Sequence, residues 1–396
     1  MGKYDFDRYI DRHGTNCKKT DLLQERFGRT DLLPLWIADM DFAVCPAITE
    51  ALVKRLGGHP IYGYTPVYDS YWQSIIDWQR RHYGWEVKRE ELTYQSGGVT
   101  AFGMVINFFT RPGDRIVIQT PVYYDFKDTI DGGDRITVEN PLRPTPDGFF
   151  EMDLEGLERI FAEEHPKMMV LCNPQNPIGI VWEPEVLREV ARLARKYGVI
   201  VFSDEVFADL TLFGHRHTPM ATVSDDARAV TITCGAPGKT FNIAGFKSTW
   251  LIITNEELRR PFYRWVEVNE LQNSNIVALL ATETAYRCGD EWLAECISYL
   301  EGNVDYVVNF CRERLPEIIA IKPQATYLLW LDCRGLGLDH DGVIDFFVNE
   351  AHLALNEGSM YGAPGRCHMR LNIATPRAVL EQAMKQLEAA VERRRH

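Results

Sequence analysis

The feature that most constrains the fold of this sequence is an alternation, between residues 115 and 254, of short apolar runs with helix-like segments. Residues 115–119, 168–172, 199–203, 229–234 and 249–254 are rich in Val and Ile and bounded by Gly, Pro, Asn or Asp, the pattern of strands. Between the second and third, residues 183–197 carry Val186, Leu187, Val190, Leu193 and Ala194 at helical spacing. This segment begins beside Pro184 and is followed by Gly198, a suitable helix C-cap. Strands alternating with helices predict an α/β fold built on a mostly parallel sheet flanked by helices. From about Val277 the pattern changes to long amphipathic stretches (277–286, 291–315, 341–351) around short strands such as 326–331 and 368–373. A smaller α+β domain is expected there. The boundaries are drawn near 50 and 285. Residues 51–285 form the large domain and 286–396 the small one, while residues 1–50, aromatic and without a clear element of their own, pack with the small domain.

Charge and composition exclude several functions. The 396 residues include 43 Lys and Arg against 56 Asp and Glu, a formal net charge of −13. That balance argues against a nucleic-acid partner, because phosphate binding draws on clustered basic residues. No run approaches the ~18 apolar residues of a membrane helix, and the opening MGKYDFDRYIDRHG lacks a signal-peptide pattern. Nine cysteines, an odd number with no CxxC pair, favour reduced thiols over a disulfide framework. A cytoplasmic protein is expected.

In open parallel sheets, ligands bind at the carboxyl ends of the strands. After the strand at 115–119 comes Thr120-Pro121-Val122-Tyr123-Tyr124, and after 168–172 comes Asn173-Pro174-Gln175-Asn176-Pro177. The strand at 199 leads into Ser203-Asp204-Glu205, and the one at 229 into Gly235-Ala236-Pro237-Gly238-Lys239-Thr240. A Tyr, an Asn, an Asp and a Lys thus gather at four strand ends. An aromatic face, an amide, an acid and an amine suit a flat, phosphorylated, electron-withdrawing cofactor with a ring nitrogen and an aldehyde. The GAPGKT run imitates a nucleotide P-loop, but that motif needs Gly at 233, where this chain has Thr233.

These residues resemble the fold type I pyridoxal-phosphate enzymes, the class I/II aminotransferase superfamily, over nearly the whole chain. Trp36-Ile37-Ala38-Asp39-Met40-Asp41-Phe42, Thr240-Phe241-Asn242-Ile243-Ala244-Gly245 and Arg370-Leu371-Asn372-Ile373-Ala374 are most similar to the MalY/PatB-type branch of cystathionine and cysteine-S-conjugate β-lyases. The resemblance implies pyridoxal 5′-phosphate as cofactor. It makes Lys239 the Schiff-base lysine and the base at Cα. Asp204 would keep the pyridine nitrogen protonated, Asn176 would donate to the phenolic oxygen O3′, and Tyr123 would stack on the ring. Gly98 and Val99 would offer backbone N–H groups to the phosphate, with Lys247 as a cationic partner. Arg370 would hold the substrate carboxylate. Tyr64 matches a position that in relatives reaches the phosphate of a neighbouring subunit, implying a homodimer with composite active sites.

Some positions depart from the family pattern. Phe207 stands where relatives carry a Tyr or His able to hydrogen-bond O3′, and Ala236 and Gly238 replace serines that touch the phosphate or the lysine. The reaction implied is α,β-elimination of a thiol from a small amino-acid substrate, giving pyruvate and ammonia. Transamination is the alternative, and a non-catalytic regulatory binding role stands behind both. No metal is expected. Asp339-His340-Asp341, the one motif suggesting a metal, reads as a solvated turn without a third ligand.

Overall fold

The computed structural model of the protein describes residues 2–145 and 148–395. Its centre is a sheet of seven strands: β1 (Leu92–Gln95), β2 (Arg115–Ile118), β3 (Ile136–Glu139), β4 (Met168–Cys172), β5 (Ile200–Asp204), β6 (Thr231–Gly235) and β7 (Thr249–Ile252). Their spatial order is β1-β7-β6-β5-β4-β2-β3. The five strands from β6 to β3 run parallel, and β7 is antiparallel to both neighbours, β6 and β1. The expected mostly parallel sheet is therefore present, extended by one reversed strand.

Side chains alternate across this sheet, as the two-residue strand period requires. Val117, Met169, Leu171 and Val201 pack into one core with Leu187, Val190 and Ala191 of the helix Pro184–Tyr197. Ile116, Ile118, Met168, Val170 and Phe202 point the other way, onto Phe102, Val105 and Ile106 of the helix Gly98–Phe109. Helices on both faces explain why the central strands read as unbroken apolar runs. The helix Pro184–Tyr197 has Pro at its first position and ends on Gly198 at φ 70°, as the sequence suggests.

A second, four-stranded antiparallel sheet is made by β8 (Ile319–Ile321), β9 (Leu328–Asp332), β10 (Asn356–Glu357) and β11 (His368–Asn372), in the order β8-β9-β11-β10. The long helices Asp290–Arg314 and Arg377–Arg395 contribute Leu300, Val304, Leu380 and Leu387 to the core that contains the buried face of this sheet. The first fifty residues do form elements: helices Lys18–Asp21 and Leu23–Phe27, and Leu33–Pro34 paired in parallel with Leu353–Ala354.

Two local expectations are corrected. Val230 belongs to a helix, Asp225–Val230, so the strand begins only at Thr231. Asp339 and Asp341 are exposed, as a solvated segment requires, but the Asp339 side chain caps the helix His340–Asp345, and His340 is buried, accepting from Cys367 N at 3.1 Å and lying 3.1 Å from Glu357.

The two sheets meet where backbone must approach backbone. Gly179, beyond β4, has φ +83° and its carbonyl accepts from Gln324 N and Ala325 N at 2.9 and 3.0 Å. A Cβ there would lie 2.5 Å from the Ala325 carbonyl oxygen. Gly179→Ala should therefore destabilise the protein by about 1–3 kcal/mol through overpacking, read as a lower urea midpoint with an unchanged slope.

Candidate active site

One cavity of about 280 Å³ opens at the carboxyl ends of the parallel strands. Cys172, Asp204 and Cys234 are in direct register across β4, β5 and β6, so the strands deliver their following residues side by side. Asn176 follows β4, Asp204 ends β5, and Lys239 sits in the short helical turn Pro237–Thr240 after β6. Tyr123 follows β2. All four line the cavity, as do Gly98, Val99, Lys247 and Phe207. Arg370 reaches the same cavity from β11 of the smaller sheet. Tyr64 does not line it; it stands fully exposed on the segment before the helix Asp69–Tyr83.

The polar contacts are specific. Lys239 Nζ donates to the Ala38 carbonyl at 2.7 Å, and the Tyr327 hydroxyl donates to the same oxygen at 2.9 Å. Arg370 is buried; its Nη1 donates to Asn176 Oδ1 at 3.1 Å and its Nη2 to the Trp36 carbonyl at 2.9 Å. Both acceptors are neutral, and the buried Nε has no partner among the described residues. The guanidinium also lies 5.1 Å from the Tyr361 ring centre. A buried cation compensated only by neutral groups is a receptor for a carboxylate. The Tyr123 hydroxyl donates to Asp125, which fixes its ring at the cavity wall.

Burial sets the ionisation of the acid and the amine. Asp204 is pushed up to about 6 by desolvation and by Glu205, against the Val206 N–H and Lys239. Lys239 is pushed down to about 8 by desolvation and by the Arg370 charge, against Asp39, Asp204 and Asp125. Opposed shifts of an acid and an amine in one cavity are a pattern found at functional sites.

The donors present fit a phosphorylated pyridine aldehyde. The helix Gly98–Phe109 starts with free N–H groups at the cavity and no side-chain cap, and Gly97 before it has φ 139°, a conformation that favours glycine. That is an anion cradle, with Lys247 on its rim. Asp204, raised by burial, matches a protonated ring nitrogen, and Lys239, lowered to about 8, matches an aldehyde.

Several lining residues escape sequence reasoning. Ala38 enters from the N-terminal segment, and Asn356, whose Nδ2 donates to the Tyr361 hydroxyl at 3.1 Å, enters from the two-residue strand β10. Neither carries a local signal; only the folded chain brings them to the cavity.

Comparison with known proteins agrees with this geometry. Residues 30–387 match the family model for aminotransferase class I and II. The chain is 39% identical to cystathionine β-lyase PatB of Bacillus subtilis (strain 168), covering 98% of this chain and 99% of that protein. It is 34% identical to protein MalY of Escherichia coli (strain K12), again over 98% and 99%. Its fold superposes on cystalysin of Treponema denticola, a structure that contains pyridoxal 5′-phosphate, with a TM-score of 0.94 and 31% identity, covering 98% and 99% of the two chains.

The Lys239 shift can be read without any reaction. Reductive methylation by formaldehyde and cyanoborohydride in cofactor-free protein, mapped by peptide mass spectrometry, should label Lys239 with a pH midpoint of about 8. In Arg370→Met the midpoint should rise, because removing a neighbouring positive charge favours the ammonium form.

Proposed function

The chain belongs to the aminotransferase class I and II family, and from that premise we propose that it is a pyridoxal 5′-phosphate-dependent carbon–sulfur β-lyase. Its substrates are cystathionine and related cysteine S-conjugates, split by α,β-elimination to pyruvate, ammonia and a thiol. The observation that carries this reading is the convergence of Lys239, Asp204, Asn176 and Arg370 on one cavity, in a chain similar along its whole length to PatB.

When bound, the cofactor supplies an electron-withdrawing ring that accepts the electron pair left as the Cα proton departs. The residues do the rest. Lys239 is the amine that holds the cofactor and then, freed, takes the Cα proton; its lowered pKa keeps much of it neutral near pH 8. Asp204 would keep the ring nitrogen protonated, Asn176 would donate to the phenolic oxygen, and Tyr123 would stack on the ring. The Gly98 and Val99 N–H groups and Lys247 would bind the phosphate. Arg370 takes the substrate carboxylate and so fixes which bond at Cα faces Lys239. The sulfur would then leave Cβ with the bonding electron pair and take the proton held by Lys239, departing as a thiol, and water would release ammonia from the remaining three-carbon unit as pyruvate.

Residues 51–285 are read as the cofactor-carrying domain, and 286–396 with the first fifty residues as the smaller domain that brings Arg370. A homodimer completes the reading. Ile61, Tyr62 and Tyr64 form an exposed apolar run, suited to pack on a second copy and bring Tyr64 to its phosphate. Nine free cysteines favour the reducing cytoplasm; no described helix is long and apolar enough to cross a membrane. Transamination is the second reading, favoured by the family's own description. A non-catalytic regulatory role has less support, since the site keeps its acid, amine, amide and guanidinium together.

Purified holo-protein given L-cystathionine, then L-cysteine, without keto acid should release pyruvate catalytically, and Lys239→Ala should release none. Amino transfer appearing only after a keto acid is added would replace the lyase with the aminotransferase. Arg370→Lys should lower kcat/KM by about 10- to 100-fold, the loss of a charge-assisted bidentate contact worth about 1.5–3 kcal/mol, measured as the rise in KM.

A further inference from the structure

Five residues beyond Asp204, and outside the cavity lining, Asp209 accepts three hydrogen bonds. Its Oδ1 takes Trp78 Nε1 at 2.8 Å and the Tyr83 hydroxyl, both from the helix Asp69–Tyr83. Its Oδ2 takes the Thr240 hydroxyl at 2.7 Å. Thr240 is the residue after Lys239. One carboxylate oxygen is thus fixed to a helix whose Trp78 packs edge-on against Phe241 with ring centres 5.6 Å apart. The other oxygen is fixed to the turn that carries the lysine.

That turn needs such an anchor. Pro237–Thr240 is a four-residue helical piece, closed by Phe241 N to the Pro237 carbonyl at 2.9 Å and followed by Ile243 N to the Gly238 carbonyl at 3.1 Å. Ala236 and Gly238 have no side-chain polar group to offer. A space of about 10 Å³ lies between Ala236, Glu205, Tyr83 and Asp209. Apart from the Lys239 amine itself, the Thr240 hydroxyl makes the only side-chain hydrogen bond of residues 236–240 among the described residues. The three donors to Asp209 are neutral, so the carboxylate acts by geometry and not as a counter-charge.

We infer that Asp209 is a positioning residue for Lys239: through the Thr240 hydroxyl it holds the lysine-bearing turn in place, an anchorage that positions 236 and 238 do not supply in this chain. The inference rests on the reading of Lys239 as the cofactor lysine and proton acceptor. A misplacement of about 1 Å of such a group costs up to about 100-fold in rate. A loosened turn also lets the amine reach water, which favours its charged form.

The test compares Asp209→Asn, Thr240→Val, Thr240→Ser and the double variant Asp209→Asn/Thr240→Val. In cofactor-free protein, the pH midpoint for reductive methylation of Lys239 should rise by about one unit in Asp209→Asn and Thr240→Val, and stay at the wild-type value in Thr240→Ser, which keeps the hydroxyl. In holoenzyme, kcat for pyruvate release should fall by about 10- to 100-fold in the same two variants with KM unchanged. The double variant should be no slower than the slower single, because the two groups act as one contact. Folded variants with an unmoved midpoint, or singles whose kcat losses multiply in the double, would overturn the inference. If Thr240→Val does not fold, Asp209→Asn against wild type carries both readings. The methylation midpoint needs no turnover, so a wild type that releases no pyruvate counts against the lyase and leaves this test standing.

Discussion

Lys239 and Arg370 face one cavity in this protein, and the rest of the site depends on how they are kept there. Lys239 and Arg370 repel each other, and that repulsion helps to depress the lysine. The carbonyls of Ala38 and Trp36, on one extended stretch of the N-terminal segment, accept from the two cations. That stretch is tied in turn from several directions. Asn372 Nδ2 donates to the Ile37 and Asp39 carbonyls, both at 2.6 Å, and Asn242 Nδ2 to the Met40 and Phe42 carbonyls at 3.0 and 2.9 Å. Arg12 pairs with Asp39 and Asp41 at 2.8 Å each, and the buried Lys19 with Asp41 at 2.8 Å. Removing one partner from such a buried ionic set is costly, because an uncompensated charge stays behind. The Trp36–Phe42 sequence is thus a structural bridge between the cation from the large sheet and the cation from the small one.

What the sequence discloses of this fold follows from where burial is complete. Strands β2, β4, β5, β6 and β7 lie at or near positions expected from apolar runs, because helices cover both faces of the central sheet. The strands of the central sheet missed are β1, Leu-Thr-Tyr-Gln, half polar although buried, and β3, an edge strand whose Ile136 is exposed. Nothing local reveals that β7 runs antiparallel. The site divides in the same way. Tyr123, Asn176, Asp204 and Lys239 are legible because each lies at, or within a short loop of, a strand's carboxyl end. Arg370 needs the family resemblance, and Ala38 and Asn356 need the fold, since their proximity to the cavity comes only from the packing of distant segments.

Phe207 shows how a departure from family pattern is absorbed. Its ring is buried and meets the Tyr327 ring edge-on, with centres 5.5 Å apart. Tyr327 brings a hydroxyl into this region, but it is engaged with the Ala38 carbonyl. The apolar contact therefore replaces a hydrogen bond rather than opening a gap. Asn176 becomes the amide donor on that side of the cavity, and its own Oδ1 is held by Arg370. Under the proposed reading, recognition of the substrate carboxylate and of the cofactor's phenolic oxygen would fall to this one hydrogen-bonded pair of side chains.

The opposed shifts of Asp204 and Lys239 imply that loading the site is coupled to protons. Burial raises the acid to about 6, against the Val206 N–H and the Lys239 charge. A protonated ring nitrogen placed against Asp204, as proposed, would add a further cation, so the carboxyl would ionise more readily and its pKa would fall. The lysine moves by the same logic: its pKa of about 8 reflects burial and the nearby guanidinium, and a carboxylate bound at Arg370 would screen the latter. Each ligand thus relieves a shift imposed on a different group. The energetic cost of leaving these groups poorly compensated is carried by the fold, through the buried strands that fix Asp204 and the tethered segment that holds Lys239 and Arg370 apart.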